Sequence, residues 1–280
     1  SNIFNILVVL GISSLITPLK VKSRIVRRDV PLLIAISCSV WAMSSTGLLT
    51  WQAGIFLLFC LLLNTIWEIN TISEKDDDIK NAEPDINDFL LNKNLIYTIS
   101  KLAFGLILLS IGANILVGGS QELARTLGIK ETIIGLTIVA TGTSLPELVT
   151  SIVAAFKGRT DLAIGNVIGS NLLNQLLILG SCSIFSGARG LTINTDLIRT
   201  DIPIMVLTTF ACLPIFWTKG KITRKEGFIL LNIYFFYVLD KILLLSKFTY
   251  MMEFRVCMVI YFSLIFIIFL IQKSTRYIQS

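Results

Sequence analysis

The chain has 280 residues, of which 54% are hydrophobic and only 15% charged, against about 25% charged in soluble domains. It contains no histidine, which excludes a Ser–His catalytic triad, a His-ligated zinc centre and an imidazole proton shuttle. The net charge of +6 comes from lysines and arginines in short loops, a pattern that suits an anionic membrane surface and not a nucleic acid.

Taken in chain order, apolar segments recur from one end to the other. Residues 102–119, 164–188, 202–217, 227–239 and 256–271 carry no charge at all, and most approach the ~18–20 residues that cross a bilayer as helix. Candidate spans lie near 1–19, 30–47, 51–69, 94–119, 131–157, 161–187, 201–217, 225–245 and 252–272. The opening run SNIFNILVVLGISSLI lacks a basic start and reads as part of a span, not as a cleavable signal. The fold class expected is therefore all-α, a polytopic transmembrane helical bundle. Cys38, Cys60, Cys182, Cys212 and Cys257 occur singly, without a CxxC pair, and are expected to be free buried thiols. The acidic segment 72–88 has Asp76, Asp77 and Asp78 but neither the Gly nor the closing Glu of a calcium loop, so it reads as a solvated connector.

The chain repeats itself. SNIFNILVVLG (Ser1 to Gly11) is answered by SNLLNQLLILG (Ser170 to Gly180), RRDVP by RTDIP, and GIFLLF by GFILLN, all in the same order. An odd number of crossings separates the span at Ser1 from the span at Ser170, so the two halves run in opposite directions. Loop charge agrees: Lys20, Lys22, Arg24, Arg27 and Arg28 follow the first copy, whereas Arg189 and Arg199 after the second are offset by Asp196 and Asp201. By the positive-inside rule the first loop is cytoplasmic and the second external. The expected organisation is 1–70 as the remainder of a first inverted repeat, 71–93 as an acidic cytoplasmic linker, 94–246 as the second repeat, and 247–280 as an extra helix and tail. Ser170 is preceded by two spans and part of a third, and Ser1 by nothing, so the first repeat is expected to be truncated.

The densest chemistry lies in LTIVATGTSLPELVTSIVAAF, Leu136 to Phe156. A carboxylate at bilayer depth costs roughly 2.5–3.5 kcal/mol, and no Lys or Arg on this segment offsets Glu147. Pro146 removes a backbone donor and frees a carbonyl about one turn earlier. Hydroxyls, a freed carbonyl and a carboxylate together form a site for a desolvated hard cation such as Na⁺ or Ca²⁺. Ser170 and Asn174 are four apart and share a helix face. Inverted repeats place ion sites where they meet.

GLTIVATGTSLPELVTSIVAAFKG followed by AIGNVIGSNLLN resembles the second alpha-repeat of the sodium/calcium exchanger membrane family, and SNIFN resembles the end of its first. The likeness runs from Ser1 to about Ser246. It implies helices in two inverted halves with ions held between them. Carried over by position, it implies Glu147 as the main acidic ligand, Thr143 and Ser144 as oxygen donors and Ala140 as a carbonyl donor. Ser170 and Asn174 would complete one half-site, with Ser1 and Asn5 as their first-repeat equivalents. The function expected is secondary antiport of Na⁺ against Ca²⁺ by alternating access, in a plasma (inner) membrane. The ions and the lipid bilayer are the expected partners, with no cofactor, nucleic acid or obligate protein partner. A proton-coupled exchanger and a non-transporting scaffold are the alternatives, and a serine hydrolase is excluded because GTSLP is not GxSxG. Two departures stand out: Glu147 lacks a first-repeat partner carboxylate, so the chain as it stands is expected not to exchange calcium, and the span at 252–272 has no repeat equivalent.

Overall fold

A computed structural model describes residues 1–79, 93–128, 140–217, 220–245 and 252–258, together with residues 134, 138 and 261. The helices are α1 (Asn2–Ile16), α2 (Val30–Ser44), α3 (Trp51–Ile79), α4 (Lys93–Thr126), α5 (Ala140–Thr143), α6 (Leu145–Phe156), α7 (Thr160–Phe185), α8 (Leu197–Phe216) and α9 (Arg224–Leu245). Among the described residues, five helices are long and apolar enough to cross a membrane. Two differences from the sequence reading concern helix extent. α3 continues to Ile79, into the acidic segment expected as a connector, because nothing in TISEKDDDI breaks a helix already nucleated by the span before it. The expected span 131–157 is interrupted at Ser144. Most of the expected 252–272 span, and residues 80–92, lie outside the described residues.

Among the described residues, four short strands report the topology. β1 (Leu19–Lys20) pairs antiparallel with β4 (Lys221–Ile222), and β2 (Leu48–Leu49) with β3 (Leu191–Thr192). β1 and β3 follow the two SN-containing helices and are repeat equivalents, as are β2 and β4. α2, with the π-helical turn Ile25–Asp29 that leads into it, separates β1 from β2 by about 30 Å of helix. β3 therefore lies at the end of α2 opposite to its own counterpart β1. The two repeats are inverted, and the ladders are their stitching at either face.

Packing follows the same two-fold relation. α1 lies against α9 and α7 against α3, while α2 lies against α8. Both of the first two contacts are glycine-to-glycine. A Cβ at Gly227 would stand 2.8 Å from the Gly11 carbonyl and meet the Ser14 hydroxyl, and one at Gly54 would stand 2.6 Å from the Gly180 carbonyl. Gly11 and Gly180, Gly54 and Gly227, Ser14 and Ser183 are repeat pairs, so one close approach has been built twice. Membrane helices associate through such small residues because lipid supplies no hydrophobic drive.

Polar pairs lie at neighbouring places in the two repeats, although their members do not all correspond. Arg28 holds Glu68 at 2.8 Å and Asn64 Oδ1 at 2.9 Å, and Arg24 also reaches Glu68. In the second repeat Lys241, the counterpart of Glu68, holds Asp201, the counterpart of Asp29, at 2.5 Å and Thr200 Oγ1, at the place of Arg28, at 2.9 Å. The Tyr237 hydroxyl donates to Asp201 at 3.0 Å. Asp29, ahead of α2, has its carboxyl pushed above the ordinary range by burial, against the pull of Arg24 and Arg28. The expectation of buried thiols holds for Cys212 alone. Cys38 and Cys60 are half-buried, and Cys182 and Cys257 are exposed, since a thiol facing lipid needs no burial in protein.

Candidate cation site

The site forms where α1, α6 and α7 meet. α5 ends at Thr143, the chain turns at Ser144 with φ −101° and ψ 6°, and α6 begins with Pro146 in its first turn. Pro is tolerated there because the missing N–H has no intrahelical partner in any case. The turn is held by Ser144 N–H to the Thr141 carbonyl (3.1 Å) and Leu148 N–H to the Ser144 carbonyl (3.0 Å). Gly142 is required by close packing, since a Cβ there would overlap Val117 of α4. The result is a discontinuous helix whose second half presents its N-terminus, and Glu147 in its first turn, to the interior.

Glu147 is half-buried, and its Oε2 is buried without a hydrogen-bond partner. Ser144 is 1% exposed and its hydroxyl likewise has no partner. The backbone beneath them is fixed from α7. Asn166 directs its amide at the Glu147 carbonyl (3.2 Å), Thr150 Oγ1 (2.9 Å) and Ser151 Oγ (2.9 Å). Thr150 donates back to the Pro146 carbonyl at 2.8 Å. The first turn of α6 is thus clamped to α7 while its carboxylate stays uncommitted.

Opposite stand two asparagine pairs. Asn5 donates to Asn171 Oδ1 at 3.0 Å, and Asn174 donates to Asn2 Oδ1 at 3.0 Å and to Ser1 Oγ at 2.9 Å. Asn5 pairs with Asn174 in the repeat, and Asn2 with Asn171, so the two bonds are one bond related by the pseudo-two-fold. Asn5 is 0% exposed and keeps its Oδ1 without a partner. Both SNxxN segments run into π-helical turns, Asn5–Val9 and Asn174–Leu179, a local widening that recurs at functional sites.

Of the residues singled out from sequence, Ser1, Asn5 and Asn174 take part in these bonds between the halves, and Ser144 and Glu147 lie at the start of α6, which packs against the turn that opens with Asn5. Ala140 opens α5, Thr143 is exposed at its end, and Ser170 is half-buried on α7 one residue before Asn171. Asn2, Asn171, Asn166, Thr150 and Ser151 were missed. The signal for the first three was present in GNVIGSNLLN and its repeat, where Asn2 and Asn171 face a helix of the other half and Asn166 faces α6 of its own. No group of three or more His, Cys, Asp or Glu converges among the described residues. The oxygen donors are one carboxylate, hydroxyls and amides, a set that suits a hard cation and not a transition metal.

Comparison with known proteins places this arrangement. The chain resembles the putative antiporter CaxA of Alkalimonas amylolytica, at 36% identity over 82% of this chain and 72% of that protein. It resembles inner membrane protein YrbG of Escherichia coli at 34% identity over 64% of this chain, and spans 56% of that relative's length. Among solved structures it resembles the sodium-calcium exchanger NCX_Mj soaked with Na⁺ and Sr²⁺, with a TM-score of 0.67, 28% identity, and coverage of 85% of this chain and 73% of that one. Residues 1–69 and 98–243 match the family described as sodium/calcium exchanger protein. With its inverted helical repeats and membrane-length spans, the chain is an integral membrane protein and belongs to the sodium/calcium exchanger family.

Proposed function

We propose that the chain forms the ion-binding bundle of a secondary antiporter that exchanges Na⁺ for Ca²⁺ by alternating access. One observation carries this reading: the Glu147 Oε2 is buried without a partner, as is the Ser144 hydroxyl, at the start of a helix that packs against the turn opening with Asn5. A carboxylate left so at bilayer depth costs roughly 2.5–3.5 kcal/mol, and a bound cation offsets that cost. Glu147 supplies the charge, while Ser144, Thr143 and the Ala140 carbonyl supply oxygens from one repeat. Ser170 and Asn174, with Ser1 and Asn5, supply neutral oxygens from the paired helices. One such set holds either Na⁺ or Ca²⁺ but not both at once, and that competition is the basis of exchange. Inversion of the repeats provides two arrangements, each open to one face.

The basic loop at Lys20 to Arg28 lies on the cytoplasmic side of the membrane in this reading, and that membrane is an inner membrane, as the name of the Escherichia coli relative says of that protein. No cofactor is used, and the transported ions are the substrates. The test is uptake of labelled calcium into vesicles loaded with Na⁺, by a protein whose first repeat also carries its acidic helix. Glu147→Gln keeps the shape of the side chain and removes its charge, so uptake should fall to background while the protein still unfolds at the parental temperature. Uptake at the parental level in Glu147→Gln would reduce Glu147 to a structural role. Uptake that follows a pH gradient and ignores Na⁺ would make the protein a proton-coupled exchanger.

A further inference from the structure

The face that carries β1 and β4 holds a groove of about 520 Å³, a size within the ~300–1,000 Å³ of small-molecule sites. Val21, Val26, Pro31, Leu213 and Phe216 make its walls, and Ser23 and Arg27 supply its polar side chains. One wall is closed by Val21 N–H to the Gly220 carbonyl at 2.8 Å. The groove therefore sits at the end of the bundle, between the start of α2 and the end of α8.

The cations around it are not all alike. Lys22 is held by Asp161 at 2.7 Å, and Arg24 and Arg28 by Glu68. Arg27 is exposed and makes no ion pair among the described residues. The β1–β4 register sets Lys20 directly opposite Lys221, and like charges in that position weaken a ladder. Both lysines are exposed, and neither has a carboxylate partner among the described residues. Inversion of the repeats does not require this. At the other face the equivalent ladder pairs Leu48 with Thr192 and Leu49 with Leu191, without charge.

We propose that the groove is a docking site for an anionic phospholipid, with its phosphate on Arg27 and Ser23 and an acyl chain along Val26, Leu213 and Phe216. Lys20 and Lys221 add to the field that draws the headgroup in. A guanidinium pairs with a phosphate through two parallel hydrogen bonds, and basic pockets between membrane helices are where such headgroups settle. A neutral lipid would leave the three cations uncompensated. A soluble phosphate would leave the apolar walls uncovered.

The purified full chain, in micelles containing equal amounts of phosphatidylglycerol and phosphatidylcholine, is to be read by native mass spectrometry. Phosphatidylglycerol should be retained over phosphatidylcholine. Arg27→Gln should weaken that retention about five-fold, as expected for one cation near a membrane surface. Lys20→Gln with Lys221→Gln should weaken it as well, Arg27→Lys less, and Arg199→Gln, at the repeat-equivalent position on the other face, not at all. Should Arg27→Gln fail to fold, Arg27→Lys and the double lysine variant carry the same test. Parental retention in the basic-face variants, or an equal loss in Arg199→Gln, would overturn the proposal. So would displacement of the lipid by millimolar glycerol 3-phosphate, which would make the ligand a soluble phosphate. None of these outcomes depends on ion transport, so the site stands or falls apart from the antiport reading.

Discussion

Asn5 donates its side-chain amide to Asn171 Oδ1 at 3.0 Å, and the two-fold related bond runs from Asn174 to Asn2 at the same length. Each bond joins one repeat to the other, so the centre of the bundle is held by paired amides and not by charge. Asn171→Leu should strand the buried Asn5 amide, while Asn5→Leu with Asn171→Leu should be milder than the two single changes added together. A coupling of about 0.5–2 kcal/mol is expected, the range of interhelical hydrogen bonds in membranes. Equilibrium unfolding in mixed micelles measures it, and strict additivity would mean that the pair does not hold the repeats.

The glycine contacts make a sharper contrast. Gly54→Ala and Gly227→Ala push a methyl group toward the backbone or a buried hydroxyl of the facing helix, and each should cost about 1–3 kcal/mol. Gly165→Ala, where a Cβ meets nothing within 4 Å, should be neutral or should stabilise α7 by up to about 1 kcal/mol. Thermal unfolding of the three variants decides it. Equal effects at all three positions would show that the close approaches do not govern packing.

Lys241 and Asp201 have side chains only 9% and 13% exposed. Lys241→Met leaves a carboxylate buried with the Tyr237 hydroxyl as its remaining support, and should cost about 3–5 kcal/mol. Adding Asp201→Asn should recover most of that loss. Denaturant midpoints of the single and double variants read the difference. A double variant as unstable as the single one would assign the loss to packing of the lysine stem.

Sidedness follows from the two ladders. With the native thiols replaced, Asn194→Cys should react with an impermeant maleimide on intact cells, and Ser23→Cys only after lysis. The expectation rests on the five cations between Lys20 and Arg28 against the balanced loop at 189–201. If both positions label from one side, the placement of the basic loop is wrong.

Much of this architecture was legible in the chain because its causes are local or periodic. Runs of apolar residues set the spans, the recurrence of SNxxN, RxDxP and GxxLL set the repeat, and loop cations set its inversion. Glu147 was legible for a related reason: a carboxylate in an apolar run beside a proline conflicts with its surroundings and so marks a function. What tertiary structure decided was partnership. Nothing in SNIFN or SNLLN says that the second asparagine of one copy meets the first of the other, because that choice depends on how two distant helices cross. The choice of Glu68 by Arg28 and of Asp201 by Lys241 is of the same kind, since each residue alone reads as a solvated end of a helix. The break at Ser144 was only half legible. Pro146 announced a cost to the backbone, but the place where the helix ends depends on Val117 pressing on Gly142 and on Asn166 holding the next turn. Helix formation is fixed by neighbours along the chain, whereas the identity of a buried polar atom's partner is fixed by the packing that removes it from lipid and water alike.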